Sequence, residues 1–449
     1  MTTRDIAPWL MRRPAAPSSA LVIRAAALVS VFSPTAKPTE EQSVNLSYSA
    51  EYERFREEVH AFLTSHWTAE DAVSSPDVDS VAAMTGAHVR TDERATAFRR
   101  AAIERGYLYR HVPRQYGGAA QPPDPLKATI IAEEFRRARA PFEIMGQGPS
   151  MLVPTLIEHG TEAQKQFFIE ATLLGKIKWC QGYSEPGAGS DLASLRTKAV
   201  LDGDTWVVNG QKIWTSNAPE ADWMFALVRT EQDAPKHDGI SYLLIDMRTP
   251  GIDVRPLRQM TGDADFSEVF FDNVRVPAQN IVGRRGQGWV VSRSTLKHER
   301  ALIGSASLHR RTFDGLAMLA QAVDHRGVPA SKDPVIRDRL VQLEARLVAL
   351  ELNGYRLLTA SARGEDPGLA GMVTKLYSTQ LGYDIAKLAM DVMGDRGLLA
   401  PGEPNAPAMG MFGMAYMWSL GVLIAGGAAN IQRNIIAERG LGLPRDARK

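Results

Sequence analysis

Residues 180–191 read Cys180-Gln181-Gly182-Tyr183-Ser184-Glu185-Pro186-Gly187-Ala188-Gly189-Ser190-Asp191. Three glycines and a proline within these twelve residues exclude a helix or a central strand. Glycine spreads into φ > 0, and proline fixes φ and removes a donor. Such a loop leaves N–H groups near Gly189 and the hydroxyls of Ser184 and Ser190 in a concave turn. That suits a negatively charged or carbonyl-rich ligand. An ordinary glycine turn between domains has the same composition.

Working outward, Val200 to Val208 predicts strand–turn–strand around Leu201-Asp202-Gly203-Asp204. Asn209-Gly210 predicts a further tight turn, after which Trp214 and Ser216 fall close together on a β element. A flat aromatic beside a small hydroxyl is what a planar heteroaromatic cofactor needs, namely stacking area and a hydrogen bond to a ring nitrogen.

Together these segments resemble the flavin-binding signature of the acyl-CoA dehydrogenase family. There a Thr/Ser-Glu-Pro-Gly-Ala-Gly-Ser-Asp loop is followed by a Trp-x-Thr/Ser strand, and the resemblance runs over roughly residues 47 to 445. It implies an α+β multidomain fold: a helical N-terminal domain, a middle β-barrel or sandwich, and a C-terminal antiparallel four-helix bundle. It implies FAD held by Gln181, Tyr183, Ser184, Gly189, Ser190, Trp214, Thr215 and Ser216, with Ser216 near flavin N5. Asp391 and Asn430 fall at positions that help hold the cofactor in relatives. Ser190, Lys297 and Arg300 are expected on the acyl-CoA substrate. The implied reaction is α,β-dehydrogenation to a trans-2-enoyl-CoA, with electron-transfer flavoprotein as acceptor.

That reaction needs a desolvated base opposite the flavin. In the family a glutamate comes either from just before an Ile-Gln-Arg near the C-terminus or from just before an Arg in the first helix of the last domain. Counting back from Ile431-Gln432-Arg433, the first position falls on Gly426, which has no side chain. The second reads His298-Glu299-Arg300, so the resemblance assigns the base to Glu299. Its helical neighbours at three and four residues are Thr295, Leu296, Leu302 and Ile303, a nearly apolar strip. A surface ion pair with Arg293 or Lys297 is the alternative.

The chain also departs from the family. Ala428 and Asn430 replace a Thr and a Gln/Glu, Asp391 replaces a Gln, and Asp395 replaces a Gly. No clear Arg-x-x-Phe-Gly stands near Gly327 to Pro334. Contacts that complete the flavin site across subunits are therefore weakened. A homotetramer or a heterotetramer with a paralogue is expected, and an FAD-poor partner subunit or a flavin oxidase of the same fold is the alternative activity.

The 449 residues leave room for about three domains. With 52 Lys+Arg against 51 Asp+Glu there is no basic excess to suggest nucleic acid. The single Cys180 rules out an intramolecular disulfide, fits a reducing compartment and so a cytoplasmic protein, and the nine histidines show no metal-ligand spacing. Residues 1–45 carry Arg4, Arg12, Arg13 and an apolar run from Ala20 to Phe32, too short and too charged to span a bilayer, so no membrane span is expected. They read as a poorly ordered extension, although Arg-rich targeting segments look alike.

From residue 46 the pattern is helical to 177, with Tyr52, Phe55, Val59, Phe62 and Leu63 at helical spacing and a capping box at Thr161-Glu162-Ala163-Gln164. A polar loop is expected from Thr68 to Arg90. Short β-branched runs between Gly, Asp and Pro turns mark 178–285 as a β domain without a βαβ rhythm. From 286 to 449 long helices return, about 289–324, 333–363, 368–393 and 411–439, which suggests an antiparallel bundle. Met409, Met411, Met414 and Met417 read as core filling.

Overall fold

The computed structural model describes residues 48–68, 71, 92–303, 306–325 and 327–444, without the side chains of 299–303, 307, 325, 361 and 362. The expected extension 1–45 and most of the polar loop 68–90 lie outside these residues. From Glu51 onward the chain forms one compact unit.

Helix α1 (Ala50–His66) buries Val59, Phe62 and Leu63, the stripe legible in the sequence. Helices α2 (Glu93–Glu104) and α3 (Pro125–Ala138) start at Asp92 and Asp124, whose carboxylates accept from the third residue's amide. A π-helical turn at Gly148–Leu152 leads into α4 (Val153–His159). The Thr161/Gln164 capping box then opens α5 (Glu162–Leu173). The Gln164 amide also donates to the carbonyls of Gln279 and Ile281, both at 2.9 Å, tying this cap to the exit of the sheet.

The middle region is an eight-stranded sheet of β1 (Trp179–Gly182), β2 (Lys198–Asp202), β3 (Thr205–Ser216), β4 (Trp223–Arg229), β5 (Ile240–Asp246), β6 (Ile252–Leu257), β7 (Phe266–Pro277) and β8 (Ile281–Val282). Its order is β6-β7-β3-β2-β4-β5-β8, with β1 parallel to β4. Alternate residues of β4 face opposite cores. Phe225 and Leu227 join the core of the N-terminal helices, while Met224, Ala226 and Val228 line the second core. The first core therefore continues across the expected boundary at 177/178.

Two local expectations are corrected here. Cys180, Gln181 and Gly182 belong to a strand, not to the loop that follows. A Cβ at Gly182 would lie 2.3 Å from Met224 Sδ, so this glycine serves close packing between strands rather than a turn. Asn209-Gly210 is not a turn either. β3 runs straight through it, paired with β7, and slips register between Val208 and Gly210. At Gly210 φ is +146° and a Cβ would lie 2.7 Å from Thr197 Cα, so the glycine marks a bulge at a close approach.

The C-terminal helices are α6 (Gly288–Ile303), α7 (Ala306–Ala322), α8 (Pro334–Arg363), α9 (Gly368–Met393), α10 (Met411–Ile424) and α11 (Ala429–Ile435). Leu316, Leu347, Leu381, Ile385 and Leu388 anchor their core. The stretch expected as one helix over 411–439 is two, because Gly426 and Gly427 sit at φ +60° and +100°. Lys375, itself buried, holds that break by donating to the carbonyls of Leu423 (3.2 Å) and Gly427 (2.8 Å).

The methionine cluster is only partly core, with Met414 and Met417 half-buried. Met409 and Met411 are 64% and 62% exposed, and α10 buries only Phe412 and Ser419. Among the described residues Pro407–Ile424 is the one stretch apolar enough for a bilayer, with 11% of it buried, but Ala408 and Met409 are non-helical and the 14 residues of α10 reach only about 21 Å, short of the ~30 Å hydrocarbon core. A helix normally covered by a second chain exposes the same kind of surface when alone.

Candidate active site

The loop after β1 is folded by its own glutamate. A tight turn joins Glu185 and Ala188 through reciprocal backbone hydrogen bonds of 3.2 and 2.9 Å. The Glu185 side chain turns inward, 8% exposed, and accepts from the amides of Arg196 (2.6 Å) and Thr197 (2.8 Å) and from Lys212 Nζ (2.8 Å). Lys212 is fully buried on β3 and also donates to the Tyr183 carbonyl at 3.1 Å. The Ile213 amide donates to the Ser184 carbonyl at 2.9 Å. Loop and strand are thus one clamped unit.

Electrostatics match this geometry. Burial pushes the Lys212 ammonium down to about 8, with Glu185 opposing the shift. Burial acts to raise Glu185, but the Lys212 charge and the three donors hold it below the usual carboxylate range. The pair is an internal clamp and leaves the outside of the loop open. No atom lies within 4 Å of a Cβ built on Gly187 or Gly189. Ser184 is half-buried and Ser190 exposed. The far end is closed by Asp191, which accepts from Lys236 (2.6 and 2.7 Å) and Ser194 (2.6 Å).

β3 slips a second time between Lys212 and Thr215, and this places Trp214 at φ +60°. A bulky residue there costs on the order of 1–3 kcal/mol, and such strain concentrates at ligand sites. The indole is 59% exposed and meets Phe266 edge-on (6.3 Å, 84°). Phe266 stacks on Trp418 of α10 (6.2 Å, 11°). Thr215 and Ser267 face one another across β3 and β7, fully buried, with neither hydroxyl partnered. Ser216 is half-buried at the strand end, and Gln181 is half-buried in β1. An exposed indole held beside a loop with an open, amide-lined tip fits FAD, a flat ring system with a diphosphate tail.

The structure therefore brings Tyr183, Ser184, Gly189, Ser190, Trp214, Thr215 and Ser216 to adjoining ends of one loop and one strand. Glu299 and Arg300 lie in α6, with side chains outside the described set, and Lys297 is exposed on the same helix. Glu299 falls one helical turn beyond Thr295, which is fully buried against Thr155 and Tyr242. Asp391 is engaged elsewhere, accepting from Arg339 at 2.7 Å. Asn430 accepts from Arg433 at 3.2 Å. Both of these bonds lie within the bundle. No group of three His, Cys, Asp or Glu suited to a metal occurs among the described residues.

Sequence reasoning missed the Lys212–Glu185 clamp. Its signal was present, because Lys212 stands between Val208 and Thr215 on the inward-facing side of β3, opposite Glu185 in the middle of the glycine loop.

Comparison with known proteins agrees with this reading. Residues 49–176, 180–274 and 286–441 match the family profiles "Acyl-CoA dehydrogenase, N-terminal domain", "middle domain" and "C-terminal domain". The chain belongs to the acyl-CoA dehydrogenase family, with helical N- and C-terminal parts around a middle sheet. It is 42% identical over 340 residues to acyl-CoA dehydrogenase IpdE1 of Mycobacterium tuberculosis, covering 75% of this chain and 84% of that protein. It is 39% identical over 347 residues to acyl-CoA dehydrogenase FadE34 of the same organism, covering 77% of this chain and 46% of that protein. Among solved structures, a "Tcur3481-Tcur3483 steroid ACAD" superposes with TM-score 0.70 at 28% identity, covering 90% of this chain and all of that one. The ChsE4-ChsE5 complex from Mycobacterium tuberculosis gives 0.68 at 30%, covering 89% and 99%. The chain is accordingly an oxidoreductase of lipid acyl-CoA metabolism.

Proposed function

We propose that this chain holds FAD and dehydrogenates a bulky acyl-CoA thioester, with Glu299 as the α-proton base. The observation that carries the cofactor assignment is the strained, exposed Trp214 clamped through Lys212–Glu185 to an open glycine loop. FAD, when bound, supplies the acceptor for the hydride that leaves Cβ. The chain's residues do the remainder. Ser216, at the strand end, would give its hydroxyl to the flavin ring, and the loop tip with Ser190 would hold the phosphates and the thioester. Glu299 is assigned the proton from Cα, and Arg300 and Lys297 are assigned to binding the CoA.

Substrate class rests on two supports. The base is assigned to the earlier helix, leaving Gly426 without a side chain, and a similar structure is titled a steroid acyl-CoA dehydrogenase. Assembly with a second, related chain is favoured by the same two solved complexes and by the apolar face of α10. The Asp391–Arg339 pair favours it too, because it occupies a position at which relatives reach cofactor. The same pair supports a second reading, a partner subunit poor in FAD. Electron-transfer flavoprotein as acceptor and a cytoplasmic setting complete the proposal.

The test is to purify the chain alone and with candidate paralogues, record the visible spectrum, and follow flavin bleaching anaerobically. The panel holds short, branched, long and polycyclic acyl-CoAs. A yellow protein bleached fastest by a bulky acyl-CoA is expected. Colourless protein in every pairing would refute the cofactor assignment.

A further inference from the structure

The indole of Trp214 stands on the cofactor strand with its backbone at φ +60° and most of its surface open. A side chain so exposed ordinarily spreads over several rotamers, and ordering it weakens binding when a ligand arrives. Its ring neighbour among the described residues is Phe266, met edge-on at 6.3 Å and 84°. Phe266 is also the cross-strand partner of Ser216, so indole, phenyl ring and hydroxyl share one end of the β3–β7 pair. An edge-to-face contact depends on the angle between the two rings. Whatever fixes the Phe266 plane therefore fixes the indole.

That plane is set from another layer of the molecule. Trp418 of α10 lies nearly parallel to Phe266, with centroids 6.2 Å apart and planes 11° apart. Both rings are half-buried. α10 is itself anchored on either side of Trp418. Phe412, in its first turn, joins the core of the bundle, and the Leu423 carbonyl near its end accepts from Lys375. A ladder of three rings, Trp418 to Phe266 to Trp214, thus runs from the C-terminal bundle to the cofactor strand. Among the described residues the two tryptophans meet only through Phe266.

Resting on the cofactor assignment above, we infer that Trp418 is a positioning residue, which presents the Trp214 face to the flavin by way of Phe266. It need not touch the cofactor to do so. Its contribution is preorganisation, because the stacking surface is oriented before FAD arrives.

The experiment titrates the full chain, stripped of flavin, with FAD. It compares the parent, Trp418→Leu, Trp418→Phe, Trp214→Ala and the double variant Trp418→Leu/Trp214→Ala. Trp418→Leu should raise the FAD Kd about 2- to 10-fold, the range for ordering one side chain on binding. Trp418→Phe keeps a ring on Phe266 and should stay within about 2-fold of the parent. In the Trp214→Ala background Trp418→Leu should change Kd by less than about 2-fold, because the ring it orients is gone. A second readout needs no cofactor. The eight tryptophans are replaced by fluorotryptophan, and the fluorine resonance of Trp214 is identified by its loss in Trp214→Ala. Trp418→Leu should shift or broaden that resonance in the flavin-free protein, and Trp418→Phe should return it toward the parental position.

A Trp214 resonance unmoved by Trp418→Leu overturns the ladder. An FAD penalty of equal size with and without Trp214 overturns the positioning role, because Trp418 then acts on FAD by itself. A parent protein that takes up no FAD while the resonance still moves overturns the cofactor assignment and the role with it, and leaves the ladder standing. Should Trp418→Leu fail to fold, Phe266→Leu removes the middle ring and is read in the same way.

Discussion

Replacing Lys212 with methionine keeps the stem of the side chain and deletes its charge inside the sheet. The Lys212–Glu185 pair is shielded from solvent at both ends, 0% and 8% exposed. Removing the ammonium leaves the Glu185 carboxylate with two backbone amides and no counter-charge. Breaking a buried pair in this way costs about 3–5 kcal/mol, while replacing both partners costs far less. Against a total stability of about 5–15 kcal/mol that is a large share. A Tm drop on the order of 4–6 °C is expected by differential scanning calorimetry, at about 2.1 cal/mol/K of unfolding entropy per residue over a unit of this size. Glu185→Leu should cost a comparable amount, and the double variant less than the sum by about 0.5–3 kcal/mol. The loss should also depend on pH. In Lys212→Met the carboxylate pKa rises, so the folded state binds more protons than the unfolded one and stability falls as pH climbs above about 4.5. In the parent the Glu185 pKa is lowered, so the opposite slope applies at acid pH. The gap between the two proteins should therefore widen from pH 5 to pH 7. A Lys212→Met protein within 1 °C of the parent (about the resolution of the assay), or a strictly additive cycle, would show that the pair does not clamp the loop.

Three further outcomes follow from other parts of the molecule. Trp214→Ala should lower FAD occupancy, since stacking is worth on the order of 1 kcal/mol, while Trp214→Gly should also lower it yet relieve the φ +60° strain and leave the apo-protein at least as stable; bound flavin per chain and apo-protein Tm separate the two effects. His309 lies 2.8 Å from Ser378 Oγ, and burial pushes it down to about 4; the folded state then binds fewer protons than the unfolded one, stability should fall as pH drops from about 6.5 to about 4 by up to about 3 kcal/mol, and His309→Gln should flatten that slope in urea titrations. Met411→Glu on the exposed face of α10 should disrupt assembly with a second chain, measured by light scattering, and leave the far-UV circular dichroism unchanged.

The coarse fold was legible because period and punctuation were strong. The α1 stripe, the Thr161 capping box and the strand–turn–strand over Val200 to Val208 all formed where the sequence placed them. Errors came where tertiary packing gives a residue a second use. Gly182 and Gly210 read as turn formers, but both serve close approach inside a sheet. Met409 and Met411 read as core by hydrophobicity, and no rule of period says that α10 turns its apolar face outward. The site loop was legible as a motif, whereas the groups that hold it were not. Lys212 is 27 residues from Glu185, and only the register of β3 brings it to bear on the loop. At Gly426, the commoner base position, φ is +60°, which would strain any side chain introduced there.

The central claim is that Glu299 takes the α-proton. Glu299→Gln preserves size and shape but removes the base, and proton abstraction by a positioned base contributes about 100- to 10,000-fold. Rapid-mixing measurement of flavin reduction under anaerobic conditions, with acyl-CoA saturating, reads this step directly. The account predicts a Glu299→Gln protein with parental FAD content and acyl-CoA affinity whose reduction is slower by about that factor. Reduction at the parental rate would contradict it.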